Sequence, residues 1–207
     1  MNHKSIHEKL KAATPKLIGQ DHIKRYSLLL PLIEKEDGMH LLFEVRSLNM
    51  RRQPGEVCFP GGKVDEEDED TQFTAIREAV EELGVRRDRI KDIYSFGYMV
   101  SPFGMKVDAY VGFLDCDEQD LTLNPKEVGE VFTVPLDFLL NTEPDIHYIQ
   151  MEVQPEGEFP YHLIPNGENY KWSRRRYAEH FYYYGDQVIW GLTARILHDF
   201  IKEIRKH

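Results

Sequence analysis

The chain has 207 residues, 41% hydrophobic and 30% charged, and its 36 acidic against 26 basic side chains leave a formal net charge of -10. That length suits one domain with a sizeable core, and the composition is that of a soluble globular protein. The negative balance argues against a general nucleic-acid binder, whose affinity rests on cations facing phosphates, and no run of about 18 apolar residues is present to span a bilayer.

In chain order, Ser5–Ala13 predicts a short helix, placed in an N-terminal extension over 1–24 ahead of a domain over 25–207. Arg25–Glu34 and His40–Ser47 read as strands about the turn Lys35-Glu36-Asp37-Gly38. Gly55–Phe59 reads as a strand stopped by Pro60, which has no N–H for a ladder. Gly61 and Gly62 permit backbone angles closed to other residues, so a tight turn with exposed amides is expected there. Phe73, Ile76, Val80 and Leu83 fall at i, i+3, i+7 and i+10 and predict a helix with a core-facing stripe, closed by Gly84 in the left-handed position. Ile90–Val100 and Lys106–Leu114 read as strands around Pro102–Gly104, and Val134-Pro135-Leu136 opens a short helix to Leu140. His147–Val153 and Tyr161–Ile164 read as extended, and Gln187–Ile204 has helical periodicity through Ile189, Leu192, Ile196, Phe200 and Ile204. Strands and helices in this order suit an α+β fold or an α/β/α sandwich.

The helix near residue 80 carries the chemistry. Glu78, Glu81 and Glu82 stand at i, i+3 and i+4, share a face nearly opposite the apolar stripe, and have Thr71 and Thr74 as uncharged neighbours. Two carboxylates roughly 6 Å apart repel by about 3 kcal/mol at an effective dielectric of about 20, and by ~0.7 kcal/mol in bulk water. A solvated surface helix has the same pattern. The glycine pair upstream shifts the reading, because a strand, a glycine turn and an acid-faced helix together suit a hard divalent cation and a phosphate.

These residues resemble a known family. Arg77-Glu78-x-x-Glu81-Glu82-x-Gly84, with Glu69 eight residues before Arg77 and Gly62 upstream, is similar to the Nudix box. One extra residue separates Gly62 from Glu69; it leaves the helix register untouched and makes Asp68 the alternative occupant of Glu69's place. Leu42, Ser47, Arg51, Gly55 and Phe59-Pro60-Gly61-Gly62 resemble the signature of the coenzyme A pyrophosphatase subfamily, as do Asn124–Phe132 and Ile189–Thr193. Departures are Phe43, Glu44 and Arg46; threonines often stand at the last two positions. The resemblance spans roughly 25–200 and implies an α/β/α sandwich with a mixed β-sheet.

It also implies roles. Glu78, Glu81 and Glu82 would hold Mg2+ or Mn2+, and Arg77 would pair with Glu78, Glu81 or Glu69 and orient the carboxylates. Glu127 is the candidate further ligand or base, with Glu130 beside it and Glu78 as the rival base. Arg46 and Arg51, with Arg52, would meet substrate phosphates beside Gly61 and Gly62. The cluster Lys171–Tyr177 mixes cations with aromatics and reads as a solvated loop or subunit contact rather than a nucleic-acid surface. The histidines lack zinc spacing. The implied reaction splits the diphosphate of coenzyme A or acyl-CoA into 3′,5′-ADP and 4′-phosphopantetheine or its acyl form. Alternatives are ADP-ribose or a nucleoside triphosphate as substrate, or a catalytically silent sensing domain. A small-molecule substrate, no membrane and no nucleic acid are expected, and a homodimer stays open. Met1–Pro15 has no apolar signal core, Cys58 and Cys116 form no disulfide framework, and Arg205-Lys206-His207 is not a peroxisomal Ser-Lys-Leu address, so the cytoplasm is the expected location.

Overall fold

A computed structural model describes residues 2–14 and 17–206. Met1, Pro15, Lys16 and His207, on which the expected boundaries at 1 and 207 fall, lie outside the described residues. The first helix, α1 (His3–Lys11), is capped by the Asn2 side chain and has no buried residue.

The centre of the molecule is a seven-stranded sheet whose main path runs β3 (Val57–Cys58), β2 (Gly38–Arg46), β1 (Lys24–Lys35), β6 (Met105–Leu114), β5 (Ile90–Ser101). A fourth short strand, β4 (Gly61–Lys63), pairs with β1, and β7 (Val128–Pro135) pairs with β2. The β1–β6 pair is parallel and the others are antiparallel, so the sheet is mixed. Asp37-Gly38 makes the first hairpin, with Gly38 at φ 121°.

Strands β1 and β2 pair only near that hairpin, from Leu32 with Leu41 to Lys35 with Gly38. Beyond it they splay: β1 takes β4 as its neighbour over Tyr26–Leu28, while β2 takes β3 over Glu44–Val45. Leu29 N donates to Pro60 O on that edge. Pro31, two residues on and on the same edge, has no N–H to give and stands where neither neighbour is paired. The segment 57–63 is thereby wedged between two parted strands, and this wedge supports the candidate site.

Alternation along β1 fills both faces of the sheet. Leu28, Leu30 and Leu32 join one core with Phe43 and with Ala194, Leu197, Phe200 and Ile201 of α4 (Gly191–Ile204). Leu29 and Leu42 join the other with Ala75, Ile76, Ala79 and Leu83 of α2 (Thr71–Leu83). A helix on each face makes the α/β/α sandwich that the sequence led us to expect. A second, three-stranded sheet, in the order β10 (Gln187–Trp190), β9 (Arg174–Tyr184), β8 (Asp145–Glu152), lends Tyr182 and Ile189 to the α4 side.

Several expectations are corrected. The predicted strand over 55–59 shrinks to Val57–Cys58, because Gly55 turns at φ 74°. Gly61 and Gly62 are not a turn but the start of β4, and neither has a positive φ. Glu130 and Val131–Val134 lie within β7, and the short helix α3 (Leu136–Leu140) begins after Pro135. Tyr161–Leu163 is a single 3-10 turn following Pro160, not extended chain. The helix expected from Gln187 starts at Gly191, whose φ of 64° breaks the run; Gln187–Trp190 pairs with β9 instead. From Arg174 onward the basic cluster is strand β9, where Arg174 bridges to Glu152 and Arg176 lies over the Tyr148 ring at 4.0 Å.

Candidate active site

Helix α2 is fixed at both ends. The Asp70 side chain accepts from Phe73 N at 2.7 Å, capping the first turn, and the Ser27 hydroxyl of β1 donates to Thr71 O. At the other end Gly84 adopts φ 64° and its N–H returns to Val80 O. The following loop crosses this terminus: Thr122 N donates to Leu83 O at 3.0 Å and Asn124 N to Glu82 O at 2.9 Å. A side chain on Gly84 would collide with Thr122 O.

The same loop delivers Glu127. Asn124 Nδ2 donates to its carboxylate at 2.8 Å, Ser47 N donates to Glu127 O, and the Ser47 hydroxyl donates to Pro125 O. Glu127 therefore stands at the end of β2, next to the wedge.

The three helix carboxylates are not equivalent, and they do not all lie opposite the core. Glu82 continues the row of Ala75 and Ala79, is only 4% exposed, and accepts from Gly61 N at 2.8 Å. Glu78 is mostly enclosed and Glu81 is 52% exposed. Phe73 and Val80, expected in the stripe, are only half-buried, because the small Ala75 and Ala79 turn the contact face toward the sheet. The glycines of β4 serve this close approach. A Cβ on Gly62 would run into the Glu78 carboxylate, and one on Gly61 would meet Ser27 O and Leu28.

Nor is the acidic face without a cation. Arg77 gives Nε and Nη2 to Asp68 at 3.0 Å each, and reaches Glu78 at 2.9 Å and Glu81 at 3.4 Å. Asp68 takes the fork, whereas Glu69 is exposed. The Asp68 side chain is 3% exposed and also accepts from Thr74 Oγ1 and Asp65 N; the Arg77 hydrogen bonds hold its carboxyl well below the usual carboxylate range.

Glu44 is a residue that sequence reasoning missed. It is 1% exposed, Oε1 accepts from Cys58 Sγ at 3.2 Å, and Oε2 is enclosed without a hydrogen-bond partner. Burial pushes the Glu44 and Glu82 carboxyls up, and the Glu44 charge raises Glu82 further. Burial also raises Glu78, against the pull of Arg77, and the Glu127 charge adds to all three. Burial, then the Glu44 charge, pushes the Cys58 thiol up, so it is a proton donor here rather than a nucleophile. The signal available in sequence was a lone acid inside the apolar run Leu41-Leu42-Phe43-Glu44-Val45.

The expected substrate-binding arginines are less gathered. Arg46 ends β2 at a bulge against β7, half-buried, with Nε enclosed and unpartnered. Arg51 and Arg52 are exposed in the loop closed by Gly55 N donating to Arg46 O. Two open hollows, one lined by Lys35, Glu118 and Val131 and one by Arg89, Lys91 and Asp115, lie toward the hairpin end of β1 and do not touch α2. The carboxylate cluster, not either hollow, is where titratable groups are massed and perturbed. Among the described residues no three Asp, Glu, His or Cys side chains already stand as a coordination cage. The donors are nonetheless all carboxylate oxygens, and an enclosed oxygen without a partner is what a hard divalent cation would satisfy.

Residues 25–152 match the NUDIX domain, and the chain belongs to the Nudix hydrolase family. It is 40% identical over 140 residues to the peroxisomal coenzyme A diphosphatase NUDT7 of Mus musculus, covering 68% of this chain and 58% of that protein. The chain thus spans somewhat over half the length of the mouse relative. It is 31% identical over 185 residues to the uncharacterized Nudix hydrolase NudL of Photorhabdus laumondii, covering 89% of this chain and 87% of that one. Among solved structures, a C. elegans Ap4A hydrolase binary complex is similar over 54% of this chain and 80% of that chain, at 21% identity and a TM-score of 0.45. No helix among the described residues is long and apolar enough to cross a membrane.

Proposed function

We propose that the protein hydrolyses the diphosphate bond of coenzyme A or its acyl esters, releasing 3′,5′-ADP and 4′-phosphopantetheine or its acyl form. The observation that carries this reading is the enclosed carboxylate group of Glu78 and Glu82 pressed against Gly61 and Gly62, with Arg77 clamped at its edge. The name of the mouse relative supplies the substrate class.

Glu78, Glu81 and Glu82 would hold Mg2+ or Mn2+, which when bound neutralises diphosphate oxygens and acidifies a water. Arg77 pairs with both Glu78 and Glu81 and so holds the two carboxylates toward one side of the helix, with Glu78 against Gly62 of β4. Glu127, anchored by Asn124, or else Glu78, accepts the proton of the attacking water. The water oxygen bonds to one phosphorus as the bond from that phosphorus to the bridging oxygen breaks, and the bridging oxygen leaves with the other phosphate. Arg46 and Arg51 would meet substrate phosphates beside Gly61 and Gly62, whose missing side chains make room for the Glu78 carboxylate and for Ser27 and Leu28 of β1. We further propose a small molecule, not nucleic acid or a membrane, as partner, with a homodimer permitted.

Product analysis decides the substrate. With Mg2+ or Mn2+ the protein is expected to release 3′,5′-ADP from coenzyme A faster than it cleaves ADP-ribose or deoxynucleoside triphosphates. Brisk hydrolysis of one of those with no coenzyme A cleavage would move the assignment to that diphosphate. We place the protein in the cytoplasm on the strength of two free cysteines. The word peroxisomal in the mouse relative's name makes the peroxisome the competing location, and imaging of the full chain in cells separates them.

A further inference from the structure

Glu44 is out of place for a strand residue. Strand β2 alternates strictly: Phe43 points into the α4 core and Leu42 into the α2 core, so Glu44 shares the α2 face. Its cross-strand neighbours are Cys58 on one side and Val131 on the other, and its carboxylate forms no ion pair among the described residues. One carboxylate oxygen accepts from the Cys58 thiol, a weak donor, and the other is enclosed with nothing to bind. Arg46, two residues along on the same face, spends no hydrogen bond on it and leaves its own Nε unpartnered. On that same face lies Glu82, the buried carboxylate of α2, which accepts from Gly61 N. Two enclosed acids facing one another from a strand and a helix repel unless a positive charge comes between them.

We propose that Glu44 is a further ligand of the divalent cation, closing the site from the sheet side opposite Glu82. This rests on the reading that α2 holds that cation. The free oxygen of Glu44 then has its partner, and the wedge of 57–63 has a use: it carries Cys58 to Glu44 and Gly61 to Glu82, tying the strand and helix acids to one segment. The rival account is purely structural, with Glu44 serving only as acceptor for Cys58.

Mn2+ binding to the full chain, followed by the paramagnetic resonance signal of free Mn2+, separates these. Glu44→Gln is expected to weaken Mn2+ binding by at least the ~10-fold that even outer partners of metal ligands command, with the metal-free melting temperature not lowered. Cys58→Ala, which removes the thiol but keeps the carboxylate, is expected to bind Mn2+ as the parent does. Glu44→Asp keeps the charge but withdraws it by one methylene; it is expected to bind Mn2+ more weakly than the parent and serves if the glutamine variant does not fold. Parent-like binding in the Glu44 variants alongside lost binding in Glu82→Gln would overturn the Glu44 ligand and leave the α2 site standing. Absence of Mn2+ binding by the parent would overturn the α2 site and this proposal with it.

Discussion

Asp68 accepts four hydrogen bonds, two from Arg77 and one each from Thr74 and Asp65 N, so its oxygens are about fully occupied. Its loss leaves the guanidinium with Glu78, Glu81 and the more distant Asp65. Asp68→Asn is expected to cost about 1–3 kcal/mol at pH 7, reduced because Arg77 retains other acids and solvent reaches Glu81. The sign with pH is fixed by the depressed carboxyl. Its contribution is present above the ordinary aspartate value of about 3.9 and is lost as pH falls through the still lower folded value. Urea unfolding of parent and variant should therefore diverge at pH 7 and converge toward strongly acid pH; a pH-independent difference would contradict the ion-pair account. That Asp68 rather than Glu69 meets Arg77 was open in the sequence, since the extra loop residue allowed either. The Asp65 turn decided it, because its backbone N–H grips Asp68 and aims it at the helix.

Helix α2 was legible in its existence, its length and its stop at Gly84, because caps and periodicity are local signals. Which side faced the sheet was not legible. The acids at 78, 81 and 82 and the apolar residues at 73, 76, 80 and 83 define two faces, and only packing shows that Ala75 and Ala79 bring Glu82 down onto β4. Strands β1, β2, β5 and β6 were readable from their apolar runs and the turns beside them. Strands β3 and β4 were not, since strands of two and three residues depend on how β1 and β2 part, a property of distant chain. The first strand residues before α4 were hidden for another reason: Val188 and Ile189 fit either period, and pairing with β9 settles it. At this scale the C-terminus of α2 gives a sharp test. Gly84→Ala combines a left-handed φ with a collision against Thr122 O, and is expected to destabilise by more than the ~1 kcal/mol of left-handed strain alone. A melting temperature equal to the parent's would contradict the packing of the 121–127 loop on the helix end.

For the whole molecule, two cores and a mixed sheet support a charge cluster that the metal-free fold does not favour. The carboxyls of Glu44, Glu78 and Glu82 all stand above the ordinary glutamate value of about 4.3. A raised folded value means that the fold binds more protons than the unfolded chain, so metal-free stability falls as pH climbs above that ordinary value. The effect runs opposite to that of Asp68 and acts in a higher window. Thermal unfolding without metal should show a lower melting temperature at pH 8 than at pH 6, and added Mn2+ should raise it more at pH 8 than at pH 6. Equal metal-free values, or a larger Mn2+ effect at pH 6, would contradict the carboxylate cluster as a strained cation site.

The measurement that bears most directly on the account is turnover of coenzyme A in Mn2+ by the parent and by Glu82→Gln, with circular dichroism run on both. Glutamine keeps an oxygen for Gly61 N and removes the charge, so the fold is expected to persist. The account predicts 3′,5′-ADP release by the parent and a loss of orders of magnitude in the variant at unchanged ellipticity. Equal turnover by the two proteins would contradict it.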